Sequence, residues 1–304
     1  MCVCVIFVTI LCHFCDIFFT FVSFCDIFLY FHDTFVPIFN FSSPLSHSFP
    51  LHFTHITQMM DDSSLEVKVA ACAVLCNVTL YFSPLKSALL ASNCLAKLVE
   101  HSRSADHALR LNALWALKNT AYGGDTASKE RVLQHLTYDG LYDLLLDREM
   151  FVQEQALSLL QNLAAEVKKE DVCRIFEGVG TERLLAVIAE KLASGVPELE
   201  HQAMYVLVNL GTGADQHLNA IIADKRIIEL VKRFLGHPMA GHRLAAVWCV
   251  INLTWQDDDT SAWRVDQLKQ VGVEERLREM VADENRDVAE RVLTALENFG
   301  VSSG

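Results

Sequence analysis

The hydrophobic and polar positions of residues 61–304 repeat with a period in the forties. A nine-residue pattern ending in Asn occurs six times, and its Asn residues are Asn77, Asn119, Asn162, Asn209, Asn252 and Asn298. Ala or Val stands six residues before each Asn, and Leu or Val stands two residues before it. At 100° per residue these apolar positions share one side of a helix. Each copy therefore predicts an amphipathic α-helix with one buried stripe.

Two shorter helical patterns separate successive copies, for example residues 182–192 and 225–235. No sustained alternation of polar and apolar residues predicts a strand. Three helices in each repeat of 42–47 residues are typical of an armadillo-type right-handed α-solenoid. We expect an all-α fold with about five full repeats and one partial repeat. The partial repeat comes first, because the composition before Asp61 does not supply its earlier helices.

Residues 1–60 have a different composition from the rest of the chain. They hold 13 of the 18 Phe and five of the 10 Cys, and they contain no Lys, Arg, Glu, Gly, Ala or Trp. We therefore expect two parts, a Phe/Cys-rich segment at 1–60 and an armadillo repeat domain at 61–304. Of residues 35–53, 14 of 19 are Phe, Ser, Pro or Leu, which pyrimidine-only codons encode. We interpret much of this segment as translated non-coding sequence rather than native protein.

The alternative for the same segment is a membrane anchor. Residues 1–31 are almost continuously apolar and long enough to span a bilayer. Asp16 and Asp26 are costly in hydrocarbon, however, and no Lys or Arg flanks the stretch. The Cys12-x-x-Cys15 pair near His13 has a metal-binding spacing, but no second well-spaced pair accompanies it. We expect neither a metal site nor a membrane partner.

Charge and motif content exclude several functions. The net charge is −13, from 38 acidic and 25 basic residues, which argues against nucleic-acid binding. Two glycine pairs, Gly178/Gly180 and Gly211/Gly213, resemble fragments of phosphate loops, but no strand precedes them. No Cys/His or Ser/His/Asp set is apparent. We therefore expect no enzyme activity, no cofactor and no small-molecule substrate.

The candidate site lies on the helix side opposite the buried stripe. There the Asn positions are accompanied by aromatic residues four positions earlier and by amides seven positions earlier. Aromatic side chains anchor interfaces, and an Asn amide can both donate to and accept from an extended peptide. We predict a partner-binding groove formed by Asn77, Asn112, Trp115, Asn119, Gln155, Asn162, Gln202, Tyr205, Asn209, Trp248 and Asn252. The alternative is that the Asn side chains brace neighbouring helices and the aromatics fill gaps between repeats.

The Trp-x-x-x-Asn pairs Trp115/Asn119 and Trp248/Asn252 resemble the peptide-binding ladder of importin-alpha-like armadillo adaptors. That resemblance implies an adaptor that binds cargo peptides. It is partial, because Ala73, Ser158 and Thr294 interrupt the aromatic series and no basic importin-binding arm is visible.

A second resemblance extends over residues 61–300. The segments 110–119, 155–163 and above all 244–255, which acidic residues follow, resemble the C-terminal part of the armadillo repeat-containing protein 8 family. Members of this family are armadillo scaffold subunits of the GID/CTLH E3 ubiquitin ligase. The resemblance implies a non-catalytic scaffold that binds partner segments on a concave face and supports protein degradation. Its implied partners are a substrate receptor and RING/CTLH subunits, and its implied location is the cytoplasm and nucleus.

Overall fold

The computed structural model describes residues 49–79, 85–166, 168–255 and 260–300. Within these ranges the chain forms 17 α-helices and no β-strand, which confirms the predicted all-α class. The first two helices are α1 (Phe49–Met60) and α2 (Leu65–Val78). The remaining helices form five sets of three, which confirms the predicted repeat of three helices.

Each set contains two shorter helices followed by one long helix. In chain order the sets are α3 (Leu85–Ala91), α4 (Cys94–His101) and α5 (His107–Ala121); α6 (Thr126–Leu136), α7 (Tyr138–Leu145) and α8 (Met150–Ala164); α9 (Lys169–Val179), α10 (Thr181–Leu192) and α11 (Pro197–Leu210); α12 (Asp215–Ala223), α13 (Lys225–Leu235) and α14 (Ala240–Leu253); α15 (Ser261–Gln270), α16 (Val273–Glu279) and α17 (Arg286–Asn298).

The long helices stack in chain order, so that α2, α5, α8, α11, α14 and α17 each contact the next. The predicted stripe is their buried side. The residues six positions before each Asn are fully buried, namely Ala71, Ala113, Ala156, Ala203, Ala246 and Val292. A side chain that ends at Cβ lets a neighbouring helix approach closely, so this position fixes the packing of the stack.

Local capping explains where several of these helices begin. The side chains of Ser64, Asp106 and Asn285 accept hydrogen bonds from the backbone N–H three residues later, at the starts of α2, α5 and α17. Such a side chain satisfies one of the N–H groups that the first turn leaves without a partner. The long helices therefore start at defined residues, and this sets the register of the exposed side.

Two buried ion pairs connect the long helices to the loop of the following set. Arg110 Nε lies 2.8 Å from Asp147 Oδ2, and Arg243 Nε lies 2.7 Å from Asp283 Oδ2. Both arginines stand nine residues before a repeat Asn, and both also donate to carbonyl oxygens in the loop just before their own helix. The same position in two repeats thus anchors the loop that precedes the next long helix.

Helix α1 packs into the solenoid in the position of a second helix. Phe53, Ile56 and Met60 are buried, and the Met60 carbonyl lies 2.9 Å from His101 Nε2 at the end of α4. The compact unit starts at Phe53, which is earlier than the predicted boundary at residue 61. The apolar residues at 53, 56 and 60 have helical spacing, and this local pattern is hidden in the average composition of the segment.

We interpret the segment 1–60 as translated non-coding sequence or, alternatively, as a membrane anchor, and its residues 1–48 lie outside the described residues. Among the helices that the structure describes, none combines the length and the apolarity needed to cross a bilayer.

Candidate functional site

The six long helices present a continuous half-exposed side, which we call the ladder face. It consists of the repeat Asn residues and the residues four and seven positions before them. Trp115, Tyr205 and Trp248 are partly exposed on this face, as are the repeat Asn residues of α5, α8, α11 and α14. The core stripe lies on the opposite side of the same helices, so the ladder face is the side left open by the stacking.

The Asn side chains brace the stack through their Nδ2 atoms. From α5 onward, each donates to the carbonyl of the residue that precedes the Asn of the previous long helix. The five bonds are Asn119 to Cys76 (3.1 Å), Asn162 to Lys118 (3.1 Å), Asn209 to Gln161 (3.0 Å), Asn252 to Val208 (2.8 Å) and Asn298 to Ile251 (3.3 Å). These carbonyls lie in the last turns of their helices, where intrahelical donors run out. The bracing role weighed in the sequence analysis is therefore present in the fold.

In α5, α8, α11 and α14, bracing uses only one half of the Asn amide. The Oδ1 atoms of Asn119, Asn162, Asn209 and Asn252 accept no hydrogen bond from any described residue. Asn77 is exposed and makes no corresponding bond within the described ranges. The ladder face therefore offers acceptor oxygens held in fixed positions by the bonds on the other side of the same side chains.

The three other amides of the predicted groove differ in how open they are. Asn112 is half-buried and donates to Ala108 O of its own helix at 2.9 Å. Gln202 is half-buried, and its Oε1 atom is buried without a partner among the described residues. Gln155 is only 8% exposed, because Lys118 Nζ from the preceding long helix reaches it at 2.7 Å. Among the predicted groove residues, Gln155 is therefore the one that contacts within the fold leave least available to a partner.

The aromatic residues of the ladder face also differ in their neighbours. The Arg291 guanidinium lies 5.2 Å from the centre of the Trp248 ring, within the range of a cation–π contact. Tyr205 makes an edge contact with His201 at 4.9 Å between ring centres, and burial raises the pKa of its hydroxyl. Within the described residues Trp115 has no comparable ring or cation contact.

Acidic groups dominate the charge of the ladder face. Helix geometry places six carboxylates on or beside it, namely Glu66, Glu154, Glu198, Asp287, Glu290 and Glu297. Of these, Glu290 is paired with Arg286 of its own helix at 2.7 Å. Burial, followed by the nearby Glu198 charge, raises the pKa of Glu154. Burial lowers the pKa of Lys118, which stands among these groups with Arg291. A surface of this composition favours a cationic partner segment.

A stacked series of three-helix repeats with an Asn ladder on its open side defines an armadillo repeat protein. No family model matches the chain. It is 28% identical over 244 residues to armadillo repeat-containing protein 8 of Mus musculus, covering 80% of this chain and 36% of that one. It is 24% identical over 299 residues to GID complex subunit 5 of Schizosaccharomyces pombe, covering 81% and 38%. These similarities confirm the predicted resemblance, and the chain spans little more than a third of each relative.

Solved structures agree with this fold. A designed armadillo repeat protein in complex with the peptide (KR)4 has a TM-score of 0.74 at 18% identity, covering 81% of this chain and 99% of that chain. A computationally designed armadillo repeat protein for modular peptide recognition has a TM-score of 0.72 at 18% identity, with the same coverage.

The structure also assembles a group that the sequence analysis did not identify. Glu200, His237 and His242 come together where α11 meets the start of α14, with one potential ligand atom of each within 4.8 Å of the others. Burial, followed by the His237 charge, lowers the pKa of His242, so its ring is neutral near pH 7. The sequence does hold a signal for this proximity. Glu200 and Arg243 occupy the same repeat position, since each stands nine residues before a repeat Asn, and His242 precedes Arg243. Aligning the repeats therefore places Glu200 in the long helix next to that of His242.

Proposed function

We propose that this chain is a non-catalytic scaffold subunit of a GID/CTLH-type E3 ubiquitin ligase, acting in proteasomal degradation in the cytoplasm and nucleus. The observation that carries the proposal is the similarity to armadillo repeat-containing protein 8 and to GID complex subunit 5, over 80% and 81% of this chain. The fold supports it, because a solenoid of stacked repeats offers a long surface on which other subunits can assemble.

The ladder face is the surface on which we expect a partner segment, such as one from a substrate receptor, to bind. Packed helices lie about 8–10 Å apart, and an extended chain advances about 3.3 Å per residue. Successive Asn residues therefore meet an extended segment about every two to three residues. The free Oδ1 atoms of Asn119, Asn162, Asn209 and Asn252 accept main-chain N–H groups of that segment, while their Nδ2 atoms hold neighbouring long helices together. The acidic groups beside them favour Lys or Arg in the segment.

Affinity purification of the tagged full chain, followed by mass spectrometry, tests this proposal. We expect RING, CTLH and receptor subunits to be recovered with the wild-type chain. Trp115→Ala should lose a subunit that binds the ladder face. Trp263→Ala is the matched control, since Trp263 is an exposed Trp on α15, outside the long helices. Failure to recover any ligase subunit with the wild-type chain would refute the scaffold assignment.

A second candidate function is an adaptor that carries basic cargo peptides. It is favoured by the pairs Trp115/Asn119 and Trp248/Asn252, by the acidic ladder face, and by the fold shared with a designed armadillo protein in complex with (KR)4. Fluorescence anisotropy with labelled (KR)4 tests it directly. Binding that Trp115→Ala with Trp248→Ala abolishes, without recovery of ligase subunits from cells, would select the adaptor over the scaffold.

A further inference from the structure

Three potential ligand groups converge at the junction of two adjacent repeats. Glu200 lies near the start of α11, His242 in the first turn of α14, and His237 in the loop between α13 and α14. Glu200 and His242 are buried, while His237 is partly exposed. Buried carboxylate and imidazole groups in this proximity need partners, and the partners of each group indicate which atoms are still available.

His242 presents a free lone pair. Its Nε2 atom lies 3.2 Å from the carbonyl oxygen of Pro197. A carbonyl oxygen only accepts, so Nε2 carries the hydrogen and Nδ1 of the neutral ring is an acceptor. The side chain is 1% exposed, and Nδ1 is buried without a partner among the described residues. A metal-binding His commonly donates its other ring N–H to a backbone carbonyl in this way.

Glu200 has one oxygen occupied and one free. Its Oε1 atom accepts from the Gly195 N–H at 3.2 Å and from Arg233 Nη2 at 3.1 Å. Its Oε2 atom accepts from no described residue. Carboxylates that bind metals are themselves held by hydrogen bonds, and the Oε1 contacts supply that support. The Arg233 side chain is half exposed, and its Nη2 atom also donates to the Leu192 carbonyl. An ion that binds here requires this cation to move outward and give up both contacts.

His237 completes the set from the loop between α13 and α14. Its ring stacks on His242, with 4.1 Å between ring centres, and its Nδ1 atom accepts from the Met239 N–H at 3.1 Å. The side chain is partly exposed, and its ring also stacks on Phe234 with 5.6 Å between ring centres. Binding an ion together with Glu200 requires this ring to turn. That turn breaks the bond to Met239 and replaces it with a metal bond.

We propose that Glu200, His237 and His242 bind a divalent transition-metal ion of the zinc type. Two imidazoles and one carboxylate form a three-ligand set that zinc uses, with a fourth position for water. Nickel and copper share this preference for imidazole, whereas magnesium and calcium require oxygen ligands. The ion gives the His242 Nδ1 atom its missing partner. It also links α11 to α14, so it stiffens the junction between two repeats.

Equilibrium dialysis of the full chain against zinc, with the bound metal measured by elemental analysis, tests this site. Cys12 and Cys15 have a spacing that could bind added zinc weakly, so the measured quantity is the zinc lost on substitution and not the total zinc. We expect His237→Gln to lose one ion per chain and Glu200→Gln to weaken that ion at least about tenfold. His237 is chosen because its partly exposed side chain tolerates replacement better than the buried His242.

His217→Gln is the matched control. His217 is also buried with an unpartnered Nδ1 atom, and its ring stacks on Phe176 at 4.4 Å, but it is not one of the three grouped ligands. This variant should keep the full zinc content, and far-UV circular dichroism should show that all variants are folded. Equal zinc in the wild type, His237→Gln and Glu200→Gln would overturn the proposal, as would a matching loss in His217→Gln.

Discussion

Replacing Asn252 by Ala measures how much a single Asn hydrogen bond between two long helices stabilises the solenoid. Asn252 Nδ2 donates to Val208 O at 2.8 Å, and that carbonyl receives no other bond from the described residues around the end of α11. A hydrogen bond contributes about 0.5–1.5 kcal/mol net, but an acceptor left without a partner costs about 1–3 kcal/mol. We therefore expect Asn252→Ala to lower the free energy of unfolding by about 1–3 kcal/mol.

Asn162→Ala is the matched comparison. Its Nδ2 atom donates to Lys118 O, which also accepts from the Tyr122 N–H at 3.0 Å, so the carbonyl keeps a partner. We expect a smaller loss, about 0.5–1.5 kcal/mol. Urea unfolding of the full chain, followed by far-UV circular dichroism, measures both losses, provided that the m values are equal. Equal losses would refute the reasoning. So would wild-type stability in Asn252→Asp, which keeps the size of the side chain but has no N–H to donate.

Three further predictions concern burial and charge. The Arg243 guanidinium holds the pKa of Asp283 below its usual value, so the pair stabilises the fold above about pH 4. That contribution is lost as the pH falls through the lowered pKa, and the stability gap between wild type and Asp283→Asn should close in acid. Met60→Ala should cost about 2–5 kcal/mol in urea unfolding, against less than about 0.5 kcal/mol for the exposed Gln58→Ala. Burial raises the pKa of Cys249 to about 12, so mass spectrometry should find this thiol unmodified after alkylation of the native chain at pH 8.

Each of these three predictions has a clear contrary outcome. If the difference in stability between the wild type and Asp283→Asn stayed constant across the acid range, the Asp283 carboxylate would not be linked to Arg243. If Met60→Ala and Gln58→Ala lowered the free energy of unfolding equally, α1 would not pack against the solenoid. Rapid alkylation of Cys249 in the folded chain would mean that α14 opens far more often than its packing implies.

The sequence predicts the parts of this fold that depend on periodicity. Burial selects the same small or apolar side chain at the same helical position, so the recurrence of Ala113, Ala156 and Ala203 along the chain is enough to mark the stacking surface. The Asn series can be recognised in the sequence for the same reason. The partners of its hydrogen bonds cannot be predicted, because Nδ2 of one repeat donates to a carbonyl 43 to 48 residues earlier and the stacking of the helices determines which carbonyl that is.

Features that depend on single contacts between repeats were harder to predict. Gln155 occupies a groove position by spacing, yet Lys118 from the neighbouring helix covers it. Glu200 and His242 are far apart in the chain, and only the register of α11 against α14 brings them together. Helix α1 was missed because an unusual composition masked a short run with ordinary helical spacing. For Gln155 and for the Glu200/His242 pair, the deciding information is the position of a neighbouring repeat.

The divided use of the Asn amides links the stability of the solenoid to binding on the ladder face. The Nδ2 bonds fix the orientation of each side chain, so the Oδ1 atoms are already placed when a partner arrives. Binding then loses little side-chain entropy at these positions. It follows that Asn→Ala variants weaken folding and binding together, whereas Trp115→Ala should affect binding alone, since Trp115 is partly exposed on the open side. A Trp115→Ala chain that binds its partner normally but unfolds at lower urea concentration would show that the aromatic residue fills a gap between repeats instead.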